Sequence, residues 1–443
     1  MDHASTAVRG APGLADAHPV ALPEPLVDAY ATMRPRSREI FERACVALPG
    51  AETRSVTHFA PFPTSIERGA GSRLHDVDGH EYLDVVNNYT SLIHGNAFAP
   101  IVEVQIPLLS SGTAFSALHL RQLELAEALR ARVASVEQVR FTNSGSEASA
   151  LALRIARKAT GRRGLVMATG AYHGGVDPFH PDAPEVIRVD YNQLDGLDSA
   201  ITESTAAVFM EPFLGAGGVL PGEPEFLRAV QDRAREVGAV FVLDEVQSLR
   251  NGFGGMQSEL GLDPDLTTMG KIIGGGLPIG AVGGRARLLE LTSPLVPERL
   301  EHSGTFNGNI PAVAGGVVAL RHLDGARIEQ LNTDAALLAE RIEAAGRASG
   351  MPVTVTRSGS IMNVHPGAAR VHTPKAAHRG LTFRAALHLA LLVEGVYAAP
   401  RGMLNLSTVL TPEDLEAVAA GYARAFEHLS DYQALLERDG EAA

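Results

Sequence analysis

The chain has 443 residues, of which 45% are hydrophobic and 20% charged, so it is long enough for two or three lobes around a sizeable core. Its net charge of −13, spread without a basic run, argues against nucleic acid and anionic membranes as partners. Cys45 is the only cysteine, which excludes an intrachain disulfide and a thiolate metal cluster and indicates a cytoplasmic protein.

The start of the chain is rich in Ala, Pro and Gly and lacks an apolar core, so residues 1–25 predict a poorly ordered tail rather than a signal peptide. No later stretch reaches the roughly 20 uninterrupted apolar residues that a membrane helix needs. The longest candidate, "LTFRAALHLALLVEGVYAAP", is interrupted by Arg384, His388 and Glu394. The sequence therefore predicts no membrane partner.

Short apolar runs alternate with amphipathic helical patterns in the middle of the chain. After a loop and helix near 110–135, the predicted strands are 139–143, 164–169, 206–210 and 239–245, and the predicted helices are 146–160 and 223–237. Ser144 and Glu147 predict a capping box for the first of these helices, and Gly161 its end. Apolar strands that alternate with helices imply an α/β fold with a mostly parallel sheet covered on both faces.

The pattern changes from about residue 325. A helix at 334–348 leads into strands at 353–358 and 361–366, and further helices are predicted at 381–394 and from 412. This mixture predicts a smaller α+β lobe. The predicted division is a tail (1–25), an N-terminal segment that packs with the small domain (26–75), a large domain (76–324) and a C-terminal small domain (325–443).

Polar residues follow each predicted strand of the sheet, where open α/β sheets bind their ligands. Residues 143–146 (NSGS) open a helix, and this turn suits a phosphate, although a plain helix cap explains it equally. Residues 171–173 (AYH) follow the second strand and, taken alone, are an ordinary turn. Glu211 and Asp244 end the next two strands, and a structural ion pair explains either one alone because buried carboxylates need partners.

Lys271 is the only ionisable residue between Leu266 and Gly284, in the stretch "DLTTMGKIIGGGLPIG". A lysine in a dry, glycine-lined turn tends to lose its proton, and the free amine can form a Schiff base with an aldehyde. Together with a phosphate-binding turn, an aromatic ring and a strand-end aspartate, it predicts a pyridoxal phosphate site. The segments 215–220 and 270–271 fail as nucleotide-binding motifs, and no histidine pair has metal-ligand spacing, so no metal is predicted.

Six segments, in chain order, are "FTNSGSEAS", "AYHGG", "EPFLGAGG", "VLDEVQS", "DLTTMGKIIGGGLPIGAVGGR" and "HSGTFNGNIPA". They resemble the signature blocks of class III pyridoxal-phosphate aminotransferases of fold type I. The resemblance runs over most of the chain and is strongest to two subgroups, the glutamate-1-semialdehyde aminomutases and the β-amino-acid (β-phenylalanine type) aminotransferases. It implies the fold type I architecture, with a large α/β domain and a smaller α+β domain, pyridoxal 5'-phosphate as cofactor and a homodimer.

The resemblance also implies roles for single residues. The catalytic pair that it implies is Lys271, which would carry the Schiff base, and Asp244, which would pair with the pyridine nitrogen. The other cofactor-binding residues that it implies are Ser144, Gly145 and Ser146 at the phosphate, Tyr172 and His173 at the ring, Gln247 near the ring hydroxyl, and Thr305 at the phosphate of the neighbouring subunit.

Two arginines, Arg54 and Arg401, bear on the choice of substrate. Each is compatible with an ordinary surface arginine, but the β-amino-acid aminotransferases look similar in both stretches, and there the arginines hold substrate carboxylates. With Glu211 ordering the pocket, the resemblance implies amino-group transfer between a β-amino acid and a 2-oxo acid such as 2-oxoglutarate.

Three alternatives stay open at this point. Aminomutases usually carry a serine and then a phenylalanine–glutamate segment where this chain reads RGMLN at 401–405, which disfavours but does not exclude a 2,1-aminomutase. A racemase on the same fold would also return the amino group to one carbon skeleton. A catalytically silent subunit is disfavoured by the intact Lys271 and Asp244.

Overall fold

The computed structural model describes residues 22–179, 183, 186–367 and 369–433. The first 21 residues of the predicted tail therefore lie outside the described part, and the first helix begins at Glu24, within the predicted tail. The helices are α1 (Glu24–Met33), α2 (Pro35–Ala47), α3 (Asn87–Thr90), α4 (Ala99–Ser111), α5 (Leu120–Arg132), α6 (Gly145–Thr160), α7 (Leu197–Ala200), α8 (Pro224–Glu236), α9 (Met256–Leu260), α10 (Ala286–Leu289), α11 (Ile310–Arg321), α12 (Gly325–Ala348), α13 (Pro374–Ala377), α14 (Leu381–Val393) and α15 (Pro412–Ser430).

The strands follow the same chain order. They are β1 (Ile66–Ala70), β2 (Arg73–Asp76), β3 (Glu81–Asp84), β4 (Gln138–Thr142), β5 (Gly164–Ala168), β6 (Val186–Val189), β7 (Thr205–Met210), β8 (Phe213–Leu214), β9 (Leu220–Pro221), β10 (Val240–Asp244), β11 (Leu266–Gly270), β12 (Gly280–Gly284), β13 (Val353–Ser358), β14 (Ile361–Pro366), β15 (Val396–Tyr397) and β16 (Met403–Asn405).

A seven-stranded sheet forms the centre of the molecule, in the order β4-β12-β11-β10-β7-β5-β6. Strand β12 runs antiparallel to both of its neighbours, and the other pairs are parallel. Leu266 and Val282 pack in a hydrophobic cluster with α6 and α8, whereas Met269 and Ala281 of the same two strands pack in a second cluster with α5 and α11. The predicted α/β fold, with a mostly parallel sheet covered on both faces, is confirmed.

Three strands of this sheet, β6, β11 and β12, were not predicted from the sequence pattern. Strands β11 and β12 read LTTMG and GAVGG, and glycine is depleted in strands because it adds no packing surface. Gly280 and Gly284 are required here because other backbone segments approach them closely. A Cβ on Gly280 would lie 2.0 Å from the carbonyl oxygen of Ser144, the residue that precedes α6.

Helix α6 ends at the predicted residue, but one of the two hydrogen bonds of the predicted capping box at its start has a different donor. Gly161 ends the helix in the left-handed region, and the Ser144 Oγ accepts from the Glu147 N–H at 3.2 Å. The Glu147 carboxylate, however, accepts from the N–H of Asn143 at 2.8 Å rather than from that of Ser144. The predicted capping box is therefore only half formed, and the turn at 143–146 is held from both ends.

The C-terminal part forms an antiparallel sheet, β13-β14-β16, with α12 packed on β13 and α15 packed on α12 and α14. Helix α12 begins nine residues before the predicted start at 334, because Asp324 caps it by accepting from the N–H of Arg327 at 2.8 Å. The predicted strands at 353–358 and 361–366 are confirmed.

A third sheet, β1-β2-β3-β15, connects the N-terminal segment with the C-terminal part, since β15 pairs in parallel with β3. The buried Arg34 reinforces this connection, donating from Nη2 to the Leu392 carbonyl and to the Tyr82 hydroxyl, both at 2.9 Å.

The domain limits at 25, 75 and 324 stay a prediction, and β2 spans the limit at 75. Among the helices of the described residues, none is long and apolar enough to cross a membrane.

Candidate active site

Along one edge of the central sheet, β4, β7, β10 and β11 end and the antiparallel β12 begins. Register pairs place Thr142 beside Gly280, Gly280 beside Gly270, Asp244 beside Thr268, and Leu243 beside Met210. The residues that follow these strand ends therefore meet at one edge, which is where open α/β sheets bind their ligands. Most of the predicted site residues lie there: Ser144, Gly145, Ser146, His173, Glu211, Asp244, Gln247 and Lys271.

The N-terminus of α6 forms one wall of this edge. Ser144 is the N-cap in an extended conformation, and Gly145 and Ser146 begin the helix. The segment 171–175 lies against this turn, because a Cβ on Gly174 would come within 2.6 Å of the Ser146 Oγ. The first N–H groups of a 16-residue helix and two hydroxyls thus face the same edge, an arrangement that suits an anion.

Asp244 is buried at the end of β10 and has two fixed partners. Its Oδ2 lies 2.8 Å from Nδ1 of His173, and its Oδ1 accepts from the N–H of Val246 at 3.0 Å. His173 is itself buried against the rings of Phe179 and Phe209. These contacts fix the orientation of the carboxylate and leave it able to accept a further hydrogen bond from a ligand.

Glu211 is a second buried carboxyl, just after β7. It accepts from the N–H of Tyr172 at 3.0 Å and from the N–H of Gly215 at 3.1 Å, so it joins two loops of the site. Burial raises its pKa to about 7, although the imidazole of His173 acts in the opposite direction. Its contacts agree with the predicted role of ordering the pocket, a role that stays a proposal.

Lys271 follows β11 directly and has a φ of 50°, in the left-handed region that a side-chain-bearing residue seldom adopts. No hydrogen bond or ion pair joins its amine to any of the described residues. Burial lowers the pKa of the amine from its usual value, and the carboxyls of Asp244 and Glu211 partly offset this effect. The chain thus holds an unpaired amine at the sheet edge in a strained backbone conformation.

Arg401 enters the site from the loop between β15 and β16. Its guanidinium lies 5.4 Å from the ring centroid of Tyr89, and Nη2 lies 3.2 Å from the sulfur of Met403. Its Nε is buried without a hydrogen-bond partner among the described residues. Burial lowers the pKa of Arg401, whereas Tyr89 and Glu211 favour its charged form. Gln247 lies nearby and donates to the same sulfur at 3.7 Å.

Three predicted residues lie at the rim rather than in the buried part of the site. Arg54 is exposed and donates from Nη1 to the Asn88 Oδ1 at 2.8 Å. The Tyr172 side chain is 52% exposed. Thr305 is exposed in the coil before α11, and Asn143 connects that coil to the start of α6 by donating to the Asn307 Oδ1 at 2.9 Å.

Tyr89 is the site residue that sequence reasoning missed. It lies in α3, whose four residues all have positive φ values, so α3 is a left-handed turn. The available signal was the "NNYT" stretch, because asparagine tolerates the left-handed region better than other side-chain-bearing residues. Nothing in that signal connects the turn with Arg401, which is distant in sequence.

Comparison with known proteins gives consistent matches. A family model described as aminotransferase class-III matches residues 55–417. The β-phenylalanine transaminase of Variovorax paradoxus is 37% identical over 437 residues, which cover 94% of this chain and 99% of that protein. A glutamate-1-semialdehyde 2,1-aminomutase of Anoxybacillus flavithermus is 36% identical, covering 89% of this chain and 98% of that protein. A solved structure described as a transaminase with PLP bound is 30% identical, with a TM-score of 0.84 over 90% of this chain and 98% of that one.

The site has the features that pyridoxal phosphate requires. The uncapped N–H groups at Gly145 and Ser146 suit its phosphate, the fixed carboxylate of Asp244 suits its pyridine nitrogen, and the unpaired amine of Lys271 suits its aldehyde. Among the described residues, no group of three or more His, Cys, Asp or Glu side chains is arranged to hold a metal ion.

Proposed function

The chain belongs to the class III aminotransferases, and on that premise we propose that it moves an amino group between a β-amino acid and a 2-oxo acid such as 2-oxoglutarate. Pyridoxal phosphate, when bound, supplies the aldehyde that takes up the amino group and the ring that withdraws electrons from the substrate. The substrate class and the roles of the single residues belong to this proposal.

The observation that carries the proposal is the Arg401 guanidinium, whose Nε is buried without a hydrogen-bond partner and which has no carboxylate partner among the described residues. Such a buried donor is costly, and the planar guanidinium fork matches a carboxylate oxygen pair. A substrate carboxylate would supply the missing acceptors. Arg54, at the rim and held by Asn88, is a second guanidinium within reach of a carboxylate-bearing substrate. The 37% identity to a β-phenylalanine transaminase supports a β-amino acid as one of the partners.

The buried residues would perform the proton chemistry. Burial favours the neutral form of the Lys271 amine, so this amine can accept a proton from the substrate carbon and return it to another. The carboxylate of Asp244, whose orientation is fixed by His173 and by the N–H of Val246, would hold a proton on the ring nitrogen. The ring of Tyr172 would cover one face of the cofactor ring.

The test is a half-reaction. We would mix the cofactor-loaded enzyme with a panel of α- and β-amino acids in the absence of any 2-oxo acid, and follow the cofactor absorption and the release of keto product. The expected result is that a β-amino acid reacts, and that Arg401→Gln raises its KM or that of the 2-oxo acid by about tenfold or more. The exposed Arg68→Gln is the matched control and should leave both values unchanged. A panel in which only α-amino acids react would refute the proposed substrate class.

A 2,1-aminomutase is the second candidate, supported by the 36% identity to such an enzyme. The same panel distinguishes the two. An aminomutase would act on a diamine or an amino-aldehyde, and its cofactor absorption would return to the starting state without an added oxo acid.

We further propose that the protein is a homodimer in which Thr305 contributes to the partner's phosphate site. Supporting this, Phe306 beside Thr305 is 62% exposed, and an exposed apolar run includes Ile106, Leu109, Phe115 and Leu118. A mixture of Lys271→Ala and Thr305→Arg subunits tests the sharing, because each mixed dimer would regain one intact site. Random mixing should restore about one quarter of the wild-type activity if both parents are inactive. Absence of any recovery, with mixed dimers verified by mass, would contradict a shared site.

A further inference from the structure

The left-handed turn α3 contacts both of the substrate-side arginines. From this turn, Asn88 accepts from Arg54 Nη1 at 2.8 Å, and the Tyr89 ring lies under the Arg401 guanidinium, 5.4 Å from its central carbon. Burial raises the pKa of the Tyr89 phenol, and the positive charges of Arg401 and Arg54 act in the opposite direction. One short turn thus contacts two guanidinium groups that are far apart in sequence.

The Tyr89 hydroxyl has a separate partner. It donates to the carbonyl of Val56 at 2.6 Å, in the short helix Ser55–Thr57 that follows Arg54 directly. In the same helix, the Thr57 hydroxyl lies 2.7 Å from the Arg54 carbonyl. The hydroxyl therefore anchors the segment that carries Arg54, while the ring supports Arg401. The two ends of one side chain contact two different parts of the substrate pocket.

The conformation of the turn is costly and is fixed by its surroundings. The φ values of its residues are 47°, 47°, 53° and 74°, and each non-glycine residue in this region costs roughly 1 kcal/mol or more. Asp84 accepts from the N–H groups of Val86 and Asn87 at 3.0 and 2.8 Å, and Asn405 donates to the Val86 carbonyl at 2.7 Å. Strain that is held so firmly is characteristic of functional sites, and here it places Tyr89 against Arg401 and against the segment that follows Arg54.

We propose that Tyr89 is a positioning residue that sets the separation of the Arg54 and Arg401 guanidinium groups, and thereby selects substrates by the distance between carboxylate and amino group. This inference rests on the proposed function, in which the two arginines bind carboxylates. A fixed separation favours substrates whose reactive carbon lies at one distance from the carboxylate, so a change at Tyr89 alters discrimination between amino acids of different chain length.

Two substitutions separate the two ends of the side chain. Tyr89→Phe removes only the hydroxyl bond to Val56, so we expect the KM of the best carboxylate substrate to rise about fivefold, with kcat nearly unchanged. Tyr89→Leu removes the ring face as well, so we expect a rise of about tenfold or more. The KM of an amine without a carboxylate should change by less than about twofold in both variants, because it engages neither arginine.

Double-mutant cycles test whether Tyr89 acts through the arginines. In an Arg54→Gln background, Tyr89→Phe should have no further effect on KM, whereas in an Arg401→Gln background its fivefold effect should persist. Additive effects in both backgrounds, or an equal loss for the amine without a carboxylate, would overturn the proposal. If Arg54→Gln and Arg401→Gln leave the KM of carboxylate substrates unchanged, the carboxylate role in the proposed function fails instead. If Tyr89→Leu does not fold, Tyr89→Phe alone decides.

Discussion

A single methyl group at Gly280 should weaken cofactor binding. Gly280 lies in β12 between Thr142 of β4 and Gly270 of β11, directly beneath the turn that begins α6. A Cβ there would lie 2.0 Å from the Ser144 carbonyl oxygen, whereas real Cβ atoms do not approach other heavy atoms within 3.0 Å. The backbone of the turn or the strand must therefore move by about 1 Å or more, and no change of side-chain rotamer can relieve the contact.

The size of the effect follows from the cost of overpacking. Extra methyl groups in a packed interior cost about 1–3 kcal/mol, and here much of that cost falls on the turn at 143–146. Since about 1.4 kcal/mol is a factor of ten in affinity, we expect Gly280→Ala to bind pyridoxal phosphate about ten to a hundred times more weakly. Titration of the apoprotein, followed by absorption, measures this change. Gly325→Ala is the matched control, because an added methyl group there meets nothing within 4 Å. A Gly280→Ala affinity within twofold of wild type would refute the reasoning.

Three further predictions concern the amine, the buried carboxyl and a helix cap. Lys271→Ala should lower kcat by about a thousandfold or more, as removal of a general acid–base does, and single-turnover kinetics with Lys158→Ala as control checks this. The pKa of Glu211 is about 7 in the folded protein, whereas its usual value is 4.5. The free energy of unfolding therefore includes a favourable contribution from this carboxyl that is complete below pH 4.5 and is lost as the pH rises through 7, a decrease of about 3 kcal/mol in total. Glu211→Gln should therefore reduce the fall in melting temperature between pH 5 and pH 8, and the exposed Glu203→Gln should not. Asp324→Ala removes the N-cap of α12 and should lower the stability by about 1 kcal/mol in thermal melts without changing kcat; a change in kcat would contradict a purely structural role.

Much of the fold was predictable because local pattern and tertiary context agree. Strands such as β7 and β10 are continuous apolar runs, and buried parallel strands require that composition. Polar residues placed directly after those strands had to meet at one sheet edge, so Asp244 and Glu211 could be assigned to a site without knowledge of any contact. Strand β12 could not be predicted in this way, because Gly280 and Gly284 are required by backbone proximity and not by strand propensity.

The substrate side of the site was less accessible to sequence reasoning. Arg54 and Arg401 were identified through resemblance, and nothing local to either one indicates that Tyr89 contacts Arg401 and the segment that follows Arg54. The contact joins residues 56, 89 and 401, which come from three separate parts of the chain. The pairing of His173 with Asp244 is a similar case, since two strand-end loops had to be placed in space before the bond could be seen.

The antiparallel strand β12 also determines when the site can form during synthesis. Thr142, which leads into the turn at 143–146, pairs with Gly280, a residue that the ribosome adds 138 positions later. At roughly 5–20 residues per second, β4 waits on the order of ten seconds with an unpaired edge. Until β12 inserts between β4 and β11, no strand pairing joins β4, which leads into the turn at 143–146, to β11, which leads into Lys271. Cofactor capture is therefore a late event in the biogenesis of this chain, and the nascent large lobe has to be protected from non-native strand pairing while its centre is still missing.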